Sequence, residues 1–373
     1  MLTMHSTLMV GPYDWDAVAL PREEYAERLA AFWQRMPAAC KGVVVFGDSR
    51  AHAELAYLTH FVPKVRQAMA FVPRRGDPIV YIPGSRAQFP VMKRLTWTEQ
   101  LELLTDAGKA VHEWMTKLET DGAGLALAGD DAMRPALRES LAQVLGGSPA
   151  DATPVLRQLM QHKRPRELEA IRGACALLDT ARAALVAAHR AGSSVTTALL
   201  EAEHAAHRAG AQDVRSLFSV DGGRSFRPFS APLPDKAEVV QCYLAARHRG
   251  YWADGMLVSG RNAALDQAGA ALRKLVDACR PGTSARDLAA VIEAGLKPLT
   301  LHPMTRHQFG SAIGLALEGA PVLSADSDHR LDEGAVYSLR VGAGDGKVHG
   351  LASALIAVQQ AGPQVLWSSV QDR

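Results

Sequence analysis

The sequence lacks long apolar runs, internal repeats and a charge excess of either sign. None of its 373 residues lies in a segment approaching the ~20 apolar residues of a membrane span, and its first residues lack the basic start and apolar run of a signal peptide. Its 41 Lys and Arg nearly balance 39 Asp and Glu, which excludes the charge pattern typical of binding to nucleic acid or anionic membranes. We therefore predict a soluble, cytoplasmic protein without nucleic-acid or membrane partners.

Cysteine is also scarce, and its spacing excludes two further classes of site. There is no CxxC pair and no neighbouring His pattern, so neither a zinc site nor a disulfide framework is indicated. We predict reduced thiols in the core at all four positions, which are Cys40, Cys175, Cys242 and Cys279.

What is present is an ordinary globular composition, 48% hydrophobic and 21% charged, in a chain long enough for two domains. Helical spacing of apolar residues at 21–37, an apolar β-branched run at 42–47 and later strands alternating with helices predict an α/β amino-terminal domain. The connector SPADATP at 148–154 precedes a long helix. These features place the domain boundary near residue 160, which gives domains 1–160 and 161–373.

Three motifs in the second half carry the chemical information. They are GYWADG at 250–255, HQFGSAIGLALEGAP at 307–321 and LDEGAVYSLRVG at 331–342. The order and spacing of these motifs resemble the creatinase, aminopeptidase P and prolidase family. The resemblance implies an α/β (α+β) chain of two domains, a creatinase-like amino-terminal domain followed by a pita-bread catalytic-type domain.

The family's pita-bread domain holds two metal ions with two Asp, one His and two Glu, and this chain departs from that set. The matching positions fall on Tyr243, Asp254, Ser311, Arg340 and Ser353. Only Asp254 is a metal-binding residue type, and a guanidinium such as that of Arg340 cannot ligate a cation and repels it. We therefore predict no metal and no other cofactor, and we expect Arg340 to lie within ion-pair reach of Asp254.

The resemblance implies that these positions converge in one cavity. We predict four catalytic residues there, namely Tyr243, Asp254, His307 and Glu318. We predict six substrate-binding residues, namely Arg227, Phe229, His302, Ser311, Arg340 and Ser353.

The function predicted from these residues is a metal-independent hydrolase or lyase. Its substrate is a small carboxylated or nitrogen-rich metabolite, with carbon–nitrogen bond chemistry that is creatinase-like in type. One alternative is a non-catalytic ligand- or protein-binding module whose salt bridge holds a dead site shut. Another, if the ligand alignment is wrong, is an Xaa-Pro peptidase-like metallohydrolase. The resemblance also implies a homodimer, in which the region of Tyr57 to Phe61 borders the partner's catalytic cavity.

Overall fold

The computed structural model describes residues 14–64, 67–147, 149–229 and 233–370. The chain divides into two compact units, Met1–Met160 and Gln161–Arg373. Across the described ranges, no helix has both the length and the apolar character needed to cross a membrane.

The first unit is built from alternating helices and strands. Its helices are α1 (Arg22–Arg35), α2 (Ala53–Thr59), α3 (Phe89–Met92), α4 (Ala107–Lys117), α5 (Pro135–Val144) and α6 (Thr153–Gln161), the last of which ends at the boundary. Its strands are β1 (Gly42–Gly47), β2 (Ala68–Pro73), β3 (Ile79–Ile82), β4 (Gln100–Leu103), β5 (Leu125–Ala128) and β6 (Ala150–Asp151).

The six strands of this unit form one mixed sheet in the order β4-β3-β2-β1-β5-β6. Strand β1 lies inside it, antiparallel to β2 and parallel to β5, and all six of its residues are buried. A continuous run of β-branched and aromatic residues suits such a doubly covered strand. The predicted α/β class is confirmed.

The second unit contains two antiparallel sheets and a set of longer helices. Its helices are α7 (Pro165–Arg190), α8 (Val195–Arg208), α9 (Ala263–Ala278), α10 (Ala285–Leu296) and α11 (Pro303–Arg306). Its strands are β7 (Asp213–Ser219), β8 (Val240–His248), β9 (Tyr251–Ser259), β10 (Thr300–Leu301), β11 (Gly310–Ala312), β12 (Gly319–Leu323), β13 (Val336–Gly344), β14 (His349–Ala357) and β15 (Gln364–Ser368).

One sheet has the order β7-β8-β9, and the other runs β12-β11-β13-β14-β15 with β10 paired to β13. Helices α9 and α10 pack on one face of β13 and β14, where Leu339, Val341, Ala352 and Ala354 join their core. Because side chains alternate along a strand, Arg340 and Ser353 point to the opposite face. This arrangement is what presents the candidate site.

All four cysteines are free and buried, which confirms their assignment as core thiols. Burial raises the pKa of the Cys175, Cys242 and Cys279 thiols to about 12, so none is a thiolate near neutrality.

Candidate functional site

Strand register brings the predicted positions of the second unit onto facing surfaces. In the β8–β9 pair, Asp254 lies opposite Ala245 and Tyr243 opposite Met256, so Tyr243 and Asp254 share a face. In the other sheet, Arg340 lies directly opposite Ser353.

An ion pair between Asp254 and Arg340 forms the centre of the site. The Asp254 side chain is 0% exposed, and its Oδ2 accepts hydrogen bonds from Arg340 Nη2 and from the Tyr243 hydroxyl at 3.0 Å. The Arg340 guanidinium also lies over the Tyr243 ring, 5.1 Å from its centroid. The predicted pairing of Arg340 with Asp254 is confirmed.

A second carboxylate approaches the same guanidinium from the solvent side. Glu318 Oε1 lies 3.4 Å from Arg340 Nη1, and the Glu318 side chain is 57% exposed. Two carboxylates against one guanidinium leave the group with a formal charge of −1, counted as one cation minus two anions. The site therefore carries no spare positive charge.

The ion pair also fixes the protonation of its members. Burial alone would lower the pKa of the Arg340 guanidinium, but the charge of Asp254, followed by Tyr243 and Glu318, outweighs burial and raises it. Burial, followed by the charge of Asp254, raises the pKa of the Tyr243 phenol well above its ordinary value of 10. Arg340 stays charged and Tyr243 stays a neutral hydrogen-bond donor.

Within the part of the chain that the structure describes, three buried side-chain oxygens on β9, β11 and β13 have no hydrogen-bond partner. They are Asp254 Oδ1, Ser311 Oγ and Ser338 Oγ. Ser311 and Ser338 lie opposite each other on β11 and β13, and Ser338 shares the face of Arg340 two residues away. Buried polar atoms are normally satisfied, so this cluster calls for a polar group that bonds to them.

Ser338 is not among the site residues that the motifs predict. The signal available in the sequence was its position two residues before Arg340 in a predicted strand, which places both side chains on one face.

Ser353, a predicted substrate contact, is satisfied by the protein itself. Its Oγ accepts a hydrogen bond from the Met256 backbone N–H at 2.7 Å. Its own backbone N–H donates to Ser369 Oγ at 2.9 Å, and its carbonyl accepts from the Ser369 N–H at 2.9 Å. The residue joins β14 to β9 and to the chain after β15.

His302 lies beside the site strand but its ring is occupied by backbone contacts. A Cβ added at Gly342 would lie only 2.4 Å from the His302 Cβ, so His302 packs against the face of β13 that carries Arg340. His302 Nε2 donates to the Gly223 carbonyl at 2.8 Å and Nδ1 accepts from the Met304 N–H at 3.1 Å. Burial lowers its pKa, so the ring is neutral and positions a loop.

Among the described residues, no hydrogen bond or ion pair joins the three remaining predicted residues to Asp254 or Arg340. Phe229 is 40% exposed and its ring packs on Phe218, with centroids 4.6 Å apart. Arg227 is exposed and bonds through its backbone to Phe218 in both directions. His307 is exposed, and no described contact joins it to Asp254 or Arg340. Their proposed roles stay predictions.

The donors around Asp254 do not fit a metal centre. Within the described ranges, no group of three or more His, Cys, Asp or Glu side chains is arranged to hold a metal ion. The two carboxylates present both contact the Arg340 guanidinium, which offers five N–H donors and no lone pair. A dication in this position would meet a fixed positive charge instead of ligands.

The family model for metallopeptidase family M24 matches residues 169–358, which is half of the chain. The chain belongs to this family. No curated protein matches the sequence.

Solved structures agree with this fold over almost the whole chain. An X-Pro aminopeptidase from Thermotoga maritima is 15% identical with a TM-score of 0.75, covering 94% of this chain and 98% of its own. Dipeptidase PepE from Mycobacterium ulcerans is 22% identical with a TM-score of 0.74, covering 95% and 97%. A prolidase from Pyrococcus horikoshii is 16% identical with a TM-score of 0.74, covering 93% and 99%. The fold is the two-domain pita-bread architecture of a hydrolase family.

Proposed function

We propose that this chain is a metal-independent member of family M24 that hydrolyses or eliminates across a carbon–nitrogen bond of a small, nitrogen-rich molecule. The observation that carries the proposal is the Asp254–Arg340 ion pair, surrounded by three buried polar atoms without partners. A guanidinium supplies the charge that balances Asp254, while the unpartnered buried atoms supply free hydrogen-bonding capacity beside it.

The charges of the site favour a nitrogen-bearing ligand over a carboxylate. Arg340 is already engaged by Asp254 and Glu318, so a further carboxylate would meet an excess negative charge. Asp254 Oδ1 can only accept hydrogen bonds in its ionised form, and the hydroxyls of Ser311 and Ser338 can accept or donate. An amide, amine or guanidino N–H satisfies this set.

Glu318 is the group placed to move a proton. It touches the ion pair on one side and is 57% exposed on the other, so it can exchange protons with solvent. Asp254 would hold and orient the nitrogen group, and Tyr243 would keep Asp254 in position through its hydroxyl. Glu318 would then serve as the general acid or base.

A second candidate is a non-catalytic binding module. It is favoured by the fixed protonation of Arg340 and Tyr243. Both have raised pKa values, so neither releases a proton near neutrality. In this case the buried acceptors bind a ligand without turnover.

The experiment is a thermal-shift screen of amides, guanidino compounds, amino acids and simple carboxylates, followed by a turnover assay on every compound that stabilises the protein. We expect nitrogen-rich compounds to stabilise the protein. In Ser338→Ala their binding affinity should fall about tenfold or more, because the ligand loses one buried hydrogen-bond partner. Exposed Ser225→Ala is the matched control and should bind as the parent does.

Turnover that disappears in Glu318→Gln supports the enzyme, and binding without turnover supports the module. Elemental analysis of protein purified without chelator tests metal independence separately. A stoichiometric transition metal in that sample would contradict the proposal.

We also propose a homodimer, on the basis of the family resemblance, and a cytoplasmic location, on the basis of the composition and charge balance of the sequence. Residues Tyr57 to Phe61 are buried within the chain itself, so a dimer contact would have to use other side chains. Light scattering at micromolar concentration tests the homodimer. A monomer at that concentration would contradict this proposal.

A further inference from the structure

A groove in the second unit, separate from the ion pair at Asp254, is lined by an excess of arginine. It lies between α7 and α9, with the end of β9 and part of β14 beneath it, and has a volume of about 940 Å³. Its charged lining residues, which define the arginine groove, are Asp179, Arg182, Arg190, Arg261, Asp266 and Arg273. The volume is comparable to that of small-molecule pockets.

Two of the four arginines are neutralised within the groove. Arg182 Nη2 lies 2.6 Å from Asp179 Oδ1, and its Nη1 donates to the Ser368 carbonyl at 3.0 Å. Arg261 Nη2 reaches both oxygens of Asp266, at 3.0 and 3.2 Å. These contacts hold the two guanidiniums in place along opposite walls.

The other two arginines have no acidic partner. Arg190 and Arg273 are exposed, and neither forms an ion pair with any carboxylate in the described ranges. Four arginines less two aspartates leave the groove with a formal charge of +2. A concave surface with a net positive charge concentrates its field, so the groove attracts anions more strongly than a flat patch of equal net charge.

The apolar part of the lining limits which anion suits it. Val186, Val258, Leu265 and Val370 line the same groove, so a ligand with a carbon body as well as negative groups would contact both kinds of surface. We propose that the arginine groove binds a small organic anion carrying at least two negative charges, held by Arg190 and Arg273. Phosphate esters and polycarboxylates share this chemistry.

The test measures binding of two probes, citrate and inorganic pyrophosphate, to the full chain by isothermal titration calorimetry at low salt. We expect at least one probe to bind, and Arg273→Gln and Arg190→Gln each to weaken it about tenfold or more, since each removes a charge-assisted contact. Lys274→Gln is the matched control, because it removes the same charge from the next residue of α9 but does not line the groove.

Preference for pyrophosphate would assign a phosphate ester and preference for citrate a polycarboxylate. Equal weakening by Lys274→Gln and Arg273→Gln would show general surface attraction and overturn the proposal. Absence of binding of both probes at millimolar concentration would overturn it as well. Circular dichroism and the melting temperature of each variant confirm that the fold is retained, since all three substitutions are at exposed positions.

Discussion

Each of the two units contains an arginine paired with a buried carboxylate, and the two pairs are built differently. In the first unit, Arg28 bonds Glu24 at 3.0 Å one turn away in α1, with side chains 1% and 5% exposed. Its guanidinium lies between the rings of Tyr25 and Tyr57, at 4.9 and 4.7 Å. In the second unit, Arg340 and Asp254 come from different sheets.

The surroundings of the two pairs also differ in how well polar atoms are satisfied. Of the described residues, four have a buried side-chain atom without a hydrogen-bond partner, and all four belong to the second unit. Three of them lie at the Asp254 site, and the fourth is His349 Nδ1. A structural pair is enclosed by satisfied groups, whereas the Asp254 pair leaves hydrogen-bonding capacity that a ligand can use.

Removing the cation should produce the largest effect in either unit. We expect Arg340→Ala to destabilise the protein by about 3–5 kcal/mol, because Asp254 keeps its charge at a site with 0% exposure. Arg28→Ala should cost about as much by the same argument. Urea unfolding followed by circular dichroism measures both.

A paired replacement sharpens this comparison. Asp254→Asn combined with Arg340→Met removes both charges and should recover most of the lost stability, since neither replacement carries a charge that must be desolvated. A single Arg340→Ala variant as stable as the parent would show that the pair does not compensate a buried charge.

Removing the Tyr243 hydroxyl should have an intermediate effect. Tyr243→Phe deletes the 3.0 Å bond to Asp254 and should cost about 1–3 kcal/mol at neutral pH. The folded pKa of this phenol lies above its ordinary value of 10, so the unfolded chain loses the proton first and stability falls as pH rises above 10. Tyr243→Phe should therefore flatten the alkaline part of the stability profile, and an unchanged alkaline slope would contradict this assignment.

Removing a hydroxyl that has no hydrogen-bond partner should affect stability differently from removing one that has partners. Ser338→Ala removes a buried hydroxyl that bonds to nothing, so without ligand we expect stability to be unchanged or raised by up to about 1 kcal/mol. Thr59→Val in the first unit removes the 2.7 Å bond to the Leu55 carbonyl and the 3.2 Å bond from the Phe61 N–H, and should cost about 1–3 kcal/mol. Thermal unfolding measures the stability of both variants. Equal losses of stability would mean that Ser338 has a hydrogen-bond partner in solution.

The smallest effect should come from His302. Burial lowers its pKa below the ordinary 6.5, outweighing the bond to Gly223, and the nearby His349 lowers it further while Asp221 raises it. Between the folded pKa and 6.5 the unfolded chain binds more protons, so stability is lost as pH falls through this range. His302→Gln should reduce that loss only in part, because the pKa of His329 is also lowered. An identical acid profile for both proteins would contradict the role of His302.

Most of the fold could be predicted because its signals are local. The apolar run at β1 and the capped start of α10, where Ser284 accepts a hydrogen bond from the Asp287 N–H, are set by neighbouring residues. The Asp254–Arg340 pair was predictable too, since the family resemblance implied that these two oppositely charged residues share one cavity.

Whether an individual polar side chain finds a hydrogen-bond partner could not be predicted from the spacing of residues in the sequence. His302 resembles a site residue in sequence, yet tertiary contacts commit both ring nitrogens to the backbone. Ser338 looks like any strand serine, and only the register with Ser311 shows that two hydroxyls face each other without partners. Such outcomes depend on residues far apart in the chain, which no local pattern specifies.

Ser353 lies between the two proposed binding regions. It faces Arg340 across the strand pair, and it exchanges two backbone-anchored bonds with Ser369, which lines the arginine groove. If an anion in the groove changes the affinity of a ligand at Asp254 by some factor, thermodynamic linkage requires that the ligand change the affinity of the anion by the same factor.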